Sequence, residues 1–121
     1  MKAGRLPKVS TVMKRALKLV TQGWTQHADE AETNGRTSYC AQGAIRMAAT
    51  GNPHSRVREL KAAGETKLAK LLTDSLRTFG LSISKKCVIV WNDSRKTQSQ
   101  VLAAFRRAHA RALNAERTNN G

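Results

Sequence analysis

The chain has 121 residues, 40% hydrophobic and 25% charged, with 22 Lys and Arg against 8 Asp and Glu, a formal net charge of +14. That length suits one domain whose core folds without a metal or disulfides, and no stretch approaches the roughly 20 apolar residues that span a bilayer. The two cysteines, Cys40 and Cys87, have neither CxxC nor zinc-finger spacing, which argues against a metal site or disulfide framework and leaves two reduced, buried thiols as the expectation.

The charge is spread along the chain. Residues 1–28 hold six Lys or Arg and no acid, residues 29–32 hold three acids, and the remainder is again mostly basic. A folded surface of this kind attracts polyanions through counterion release, and nucleic acid is the first partner to consider. The five aromatics, Trp24, Tyr39, Phe79, Trp91 and Phe105, are expected to anchor a core otherwise built of aliphatic residues.

Val9, Val12, Met13, Ala16, Leu17 and Val20 recur at helical spacing and predict a helix over residues 8–22, with Lys14, Arg15 and Lys18 facing outward. Gly23 stands where a left-handed cap belongs, and Trp24 is placed to pack on the last turn. Residues 25–37 are polar and end near the turn signal Asn34-Gly35, so they read as a surface loop. A metal held by His27, Asp29, Glu30 and Glu32 is weighed here and set aside, because clustered acids in a loop are usually solvated.

Thr37 or Ser38 can cap a central helix over residues 39–49, stopped by Gly51 and Pro53. Its face of Cys40, Ala41, Ala44, Ile45 and Ala48, with Gly43 at the edge, suits close approach of neighbouring backbone. Cys40 near a helix start has some thiolate tendency, but no histidine stands at a motif distance, and a structural thiol is favoured over a nucleophile. His54 reads as an exposed loop residue. A short basic helix over 55–63 carries Arg56, Arg58 and Lys61, Gly64 breaks it, and residues 65–79 form an amphipathic helix closed by Gly80. A DNA-reading helix-turn-helix across Gly64 is disfavoured by the polarity of its first helix.

Residues 82–91, with β-branched Ile83, Val88, Ile89 and Val90, favour a short extended segment that fills the core, and with no second comparable strand in the chain a short helix turn or a strand shared between subunits stays open as well; Trp91-Asn92-Asp93 turn the chain. Thr97 and Gln100 have capping-box spacing before Val101, Leu102, Phe105, Ala108 and Ala112, leaving Arg106, Arg107 and Arg111 off the apolar stripe. The whole reads as a mainly α, compact single domain of four to five helices spanning residues 1–121, with 1–7 and 118–121 frayed.

Four pieces in this order, Gly23-Trp24, Tyr39-Cys40-Ala41-Gln42-Gly43-Ala44, Trp91-Asn92-Asp93, and Thr97 with Val101 and Phe105, resemble a family of small actinobacterial and phage proteins that share a domain of unknown function. The resemblance implies an intracellular, mainly helical domain and brings no activity or catalytic residue. The present chain is more basic than that family leads one to expect.

The function expected from these features is non-enzymatic binding of nucleic acid, DNA favoured over RNA, through phosphate contacts from Lys14, Arg15, Lys18, Arg56, Arg58, Lys61, Arg106, Arg107 and Arg111. The alternative is an accessory protein that binds an acidic host protein. An enzyme built on Trp91, Asn92 and Asp93 with Cys40 or His27 is set aside for want of a second acid or base at a recognisable spacing. No cofactor, metal or membrane is called for, and a cytoplasmic setting, the host's if phage-encoded, is expected. Trp24, Tyr39, Cys40, Gly43, Trp91, Asn92, Asp93, Thr97 and Phe105 are assigned to structure.

Overall fold

A computed structural model describes residues 5–84 and 87–120. The protein is mainly helical. Among the described residues there are six helices, α1 (Val9–Gln22), α2 (Ala41–Thr50), α3 (Val57–Ala62), α4 (Thr66–Leu81), α5 (Val88–Asp93) and α6 (Gln98–Asn120), and a hairpin of β1 (Glu30–Thr33) and β2 (Arg36–Tyr39). Lys85 and Lys86 of the expected extended segment lie outside the described residues, as do Met1–Gly4 and Gly121 of the expected frayed ends; α6 itself continues past Thr118.

Helix α1 forms because its apolar residues fall on one stripe, and that stripe is fully enclosed at Val12, Met13, Ala16 and Val20. It lies antiparallel to α6, its most extensive neighbour, and also packs on α2 and α4. Small residues of α6, Ala104 and Ala108, are buried in the same cluster as Ala16 and let the helices approach closely. Phe79 of α4 is the hub of the aromatics, with its ring edge-on to Trp91 at 5.6 Å and tilted against Phe105 at 4.4 Å.

Side chains of α6 close both ends of α1. Lys8 at the N-cap makes no side-chain cap, and the orphan amide of Ser10 donates instead to Glu116 Oε2 (3.0 Å) while its hydroxyl donates to Oε1 (2.6 Å). At the other end the Gln98 amide nitrogen donates to the carbonyls of Val20 and Thr21. The capping box at the start of α6 forms as its spacing predicts, with the Thr97 amide donating to Gln100 Oε1 and the Gln100 amide to Thr97 Oγ1.

Several local expectations change. Residues 88–91 are not extended: they open the helix α5, the helical turn that the sequence also allowed, and among the described residues Cys87, its N-cap, is extended. On so short a helix one side alone meets the core, so Trp91 is buried while Ile89 and Val90 are 44% and 66% exposed. Cys87 is exposed and Cys40 buried, and both are free. Within the expected loop, Asn34 (φ 53°) and Gly35 (φ 76°) make the tight turn of a two-stranded antiparallel hairpin in which Glu30 faces Tyr39; positive φ at both residues is what a two-residue hairpin of this twist demands. Gly23 is not a left-handed cap. Its φ of 180° is extended backbone, and what favours glycine is space, because a Cβ there would crowd the Thr37 carbonyl (3.0 Å) and Ser38 Cα (3.2 Å) as Trp24 pairs with Tyr39. Gly80 lies inside α4, whose C-cap is Ser82.

Replacing Glu116 with Ala removes the cap of α1 from 106 residues away. The expected cost is about 1–2 kcal/mol in urea unfolding, the scale of a lost N-cap, with the m-value unchanged.

Candidate functional site

Two regions of opposite character concern function: the outward basic faces, and a corner where the motif residues gather around Asn92. The corner begins with one amide. Asn92 is fully buried on α5, so all of its hydrogen-bonding capacity must be met inside the protein. Its Oδ1 accepts from Trp24 Nε1 (2.8 Å) and from the Ala41 amide (3.0 Å), the first orphan N–H of α2; its Nδ2 donates to the Thr25 carbonyl (3.1 Å) and to Asp93 Oδ1 (3.3 Å). Gln26 reinforces the joint, its Nε2 donating to the carbonyls of Asn92, Asp93 and Arg95 at the end of α5.

Around this joint stand the remaining polar residues. The His27 amide donates to Asp93 Oδ1 (2.8 Å), and its ring Nδ1 lies 3.3 Å from Oδ2, which holds His27 in left-handed backbone (φ 65°). Asp29 meets Arg46 Nη1 and His54 Nδ1, each at 3.3 Å, and His54 Nε2 meets Glu30 at 3.2 Å. Arg46 is buried at 5% exposure on the flank of α2 that also carries Gly43, where an added Cβ would overlap the Asp29 carbonyl.

Cys40, not Thr37 or Ser38, is the N-cap of α2: its Sγ accepts from the Gly43 amide (3.2 Å), and the thiol points at Asp29 Oδ1 (3.9 Å). Burial pushes this thiol above its ordinary pKa; the Gly43 hydrogen bond opposes the shift and the Asp29 charge adds to it. Although a small cleft of about 360 Å³ brings His27, Asp29, Cys40 and Asp93 together, its cysteine is held as the neutral thiol, the reverse of what a nucleophile needs. Among the described residues no group of three His, Cys, Asp or Glu is arranged to hold a metal ion.

The nine basic residues are all exposed, in three places. Lys14, Arg15 and Lys18 share the outward face of α1 with Thr11 and Thr21 around a shallow hollow of about 540 Å³. On α6, Gln98 and Glu116 mark the flank that meets α1; Arg106 lies next to that flank, whereas Arg107 is on the opposite side, where its guanidinium donates to the Ser82 carbonyl (3.2 and 3.4 Å) and Arg111 follows one turn on. Arg56, Arg58 and Lys61 belong to the start and body of α3, which rests chiefly on α4 and has no buried residue. The outward face of α1 thus forms one candidate surface, and the basic residues of α6 and α3 belong to other elements.

Sequence reasoning passed over Gln26, Arg46, His54 and Glu116 as working residues. For Arg46 a signal was available: it follows Gly43 by three positions and so lies one helical turn along the face that Gly43 opens to Asp29. His54 and Glu116 carry no such signal, since each acts across a long gap in sequence.

The fold and these surfaces define a small basic helical domain with a buried polar joint in which the Asn92 amide is fully hydrogen-bonded. A family model described as a family of unknown function, DUF6197, matches residues 5–111, and the chain belongs to that family. No curated protein and no solved structure matches it. No described helix is long and apolar enough to cross a membrane.

Asn92→Ala would strand the Trp24 and Ala41 donors in the interior and is expected to cost about 3 kcal/mol or more in urea unfolding, whereas Asp93→Ala, whose partners are partly solvated, should cost about half as much. Iodoacetamide at neutral pH should alkylate Cys87 in the native protein and reach Cys40 only after unfolding, as read by peptide mass spectrometry. Because the folded Cys40 pKa is raised, its stabilisation is complete below the ordinary thiol pKa. It falls as the pH rises through and beyond that value, where the unfolded chain ionises first.

Proposed function

We propose that this chain is a small, non-enzymatic nucleic-acid-binding protein of actinobacterial or phage type, acting in the cytoplasm and gripping duplex DNA in preference to RNA through its phosphates. The observation that carries this reading is the division of charge. Among the described residues, salt bridges to carboxylates engage Arg46 and Lys70 alone of the lysines and arginines, and none of the nine outward residues named above. Asp29, Asp93 and Glu116 are meanwhile committed to internal partners, so positive charge is left over on the outside.

Lys14, Arg15 and Lys18 lie within two turns of a rigid helix, with the Thr11 hydroxyl beside them as a further donor, since that of Thr21 is given to the Leu17 carbonyl, a set suited to a phosphate backbone rather than to base edges. The aromatics favour a duplex: Tyr39, Phe79, Trp91 and Phe105 are buried and Trp24 is half-buried against the core, so none of the five offers a fully open ring on which unpaired bases would stack. Little sequence preference follows.

Fluorescence anisotropy with a labelled 20-base-pair duplex at several salt concentrations tests the reading. Affinity should fall steeply with salt, and the combined variant Lys14→Ala, Arg15→Ala, Lys18→Ala should bind more weakly with a log–log salt slope shallower by about 2–3. Absence of salt-sensitive association, or a variant that binds like the parent, would rule out this face.

A further inference from the structure

We infer that the groove between the Leu6-Pro7 segment, α1 and the end of α2 is a docking site for an acidic segment of a partner protein that carries bulky apolar side chains. The groove has a volume of about 750 Å³. Its floor is apolar: Leu6, Leu19 and Met47 are partly buried, pack on the core from outside, and turn their remaining surface into the groove. Its rim is cationic. Arg5, Arg15 and Lys18 line it, no acid does, and none of the three forms a salt bridge among the described residues.

The shape follows from the local structure. Arg15, Lys18, Leu19 and Gln22 stand at i, i+3, i+4 and i+7, giving a continuous wall about 10 Å long. Opposite, α2 ends in Ala48 and Ala49, whose small side chains leave depth, and Gly51 turns the chain away at φ 83°. Thr50 adds no free hydroxyl, because its Oγ1 already donates to the Arg46 carbonyl.

Charge complementarity selects the occupant. An apolar floor under an all-cationic rim is satisfied by Leu, Ile, Phe or Trp side chains flanked by Asp or Glu, with carboxylates reaching Arg5, Arg15 and Lys18 and an adaptable Met47 beneath. A DNA backbone supplies the charge but nothing to cover the floor. This site goes beyond the DNA-binding reading while sharing Arg15 and Lys18 with it, so a bound acidic segment and bound DNA would compete.

The test is selection of a phage-displayed random dodecapeptide library on the full chain. Enriched sequences should combine at least two Asp or Glu with a large apolar residue, and a synthetic copy should bind the parent protein in anisotropy. That peptide should lose about tenfold in affinity on Met47→Ser and similarly on Arg5→Gln, a change outside every helix. Circular dichroism would confirm that both variants are folded, and DNA affinity of Met47→Ser should stay at the parent level, so that failure of this site and failure of the DNA face are told apart. The inference is overturned if no acidic-apolar class is enriched, if serine at the apolar peptide positions leaves binding unchanged, or if neither variant weakens it. It is equally overturned if phosphatidylglycerol vesicles, and not the peptides, bind in a Met47-dependent way, which would assign the groove to a lipid surface.

Discussion

A single buried amide organises this protein. Asn92 has no access to water, so its four hydrogen bonds must be made inside the protein, three of them by chain brought in from elsewhere and one by the adjacent Asp93, and leaving one unmade costs far more than making it gains. Meeting that demand fixes the exit of α1 through Trp24 and Thr25, the first turn of α2 through Ala41, and the end of α5 through Asp93. The hairpin then has one place to go: its base runs past α2 at Gly43, where the Asp29 carbonyl occupies the space of a side chain, and Arg46 one turn on meets the Asp29 carboxylate. Gly23-Trp24, Tyr39 to Ala44 and Trp91 to Asp93 are pieces of this one joint, which is why they stand out together in the sequence.

What could be read in advance was what short-range physics dictates. The stripes of α1, α4 and α6 show as helical periodicity, and Thr97 with Gln100 satisfies its own helix start. Asn34-Gly35 announced a turn, but β1 and β2 are too polar and too short to announce strands. The run Val88-Ile89-Val90 leaves strand and helix both open, because β-branched residues favour strands only where a partner strand exists. Here Val88–Asp93 coils into α5, which places Trp91 against Phe79 and Asn92 in the joint. The caps supplied by Glu116, Gln98 and Cys40 were illegible for a different reason: two act across most of the chain, and the third uses a residue rarely chosen for the task.

The same accounting separates structure from function. Much of the acidic minority is spent internally, Asp29 and Asp93 on the joint, Glu116 on α1 and Asp74 on Lys70. The basic majority is left facing outward, so the charge that makes the protein attractive to polyanions is what remains once the fold has used its carboxylates. The Trp91-Asn92-Asp93 corner, with a neutral buried thiol and both carboxylates already engaged, is the fastening that holds α1, α2 and α5 in position, and the proposed binding surface is the outward face of α1.

Amide chemical-shift mapping of the ¹⁵N-labelled protein titrated with duplex DNA measures that separation residue by residue. The account predicts perturbations concentrated on Thr11 to Thr21, with Cys40, Gly43 and Asn92 unmoved. Perturbations centred on His27, Cys40, Ile89 and Asp93, with the outward face of α1 silent, would contradict it.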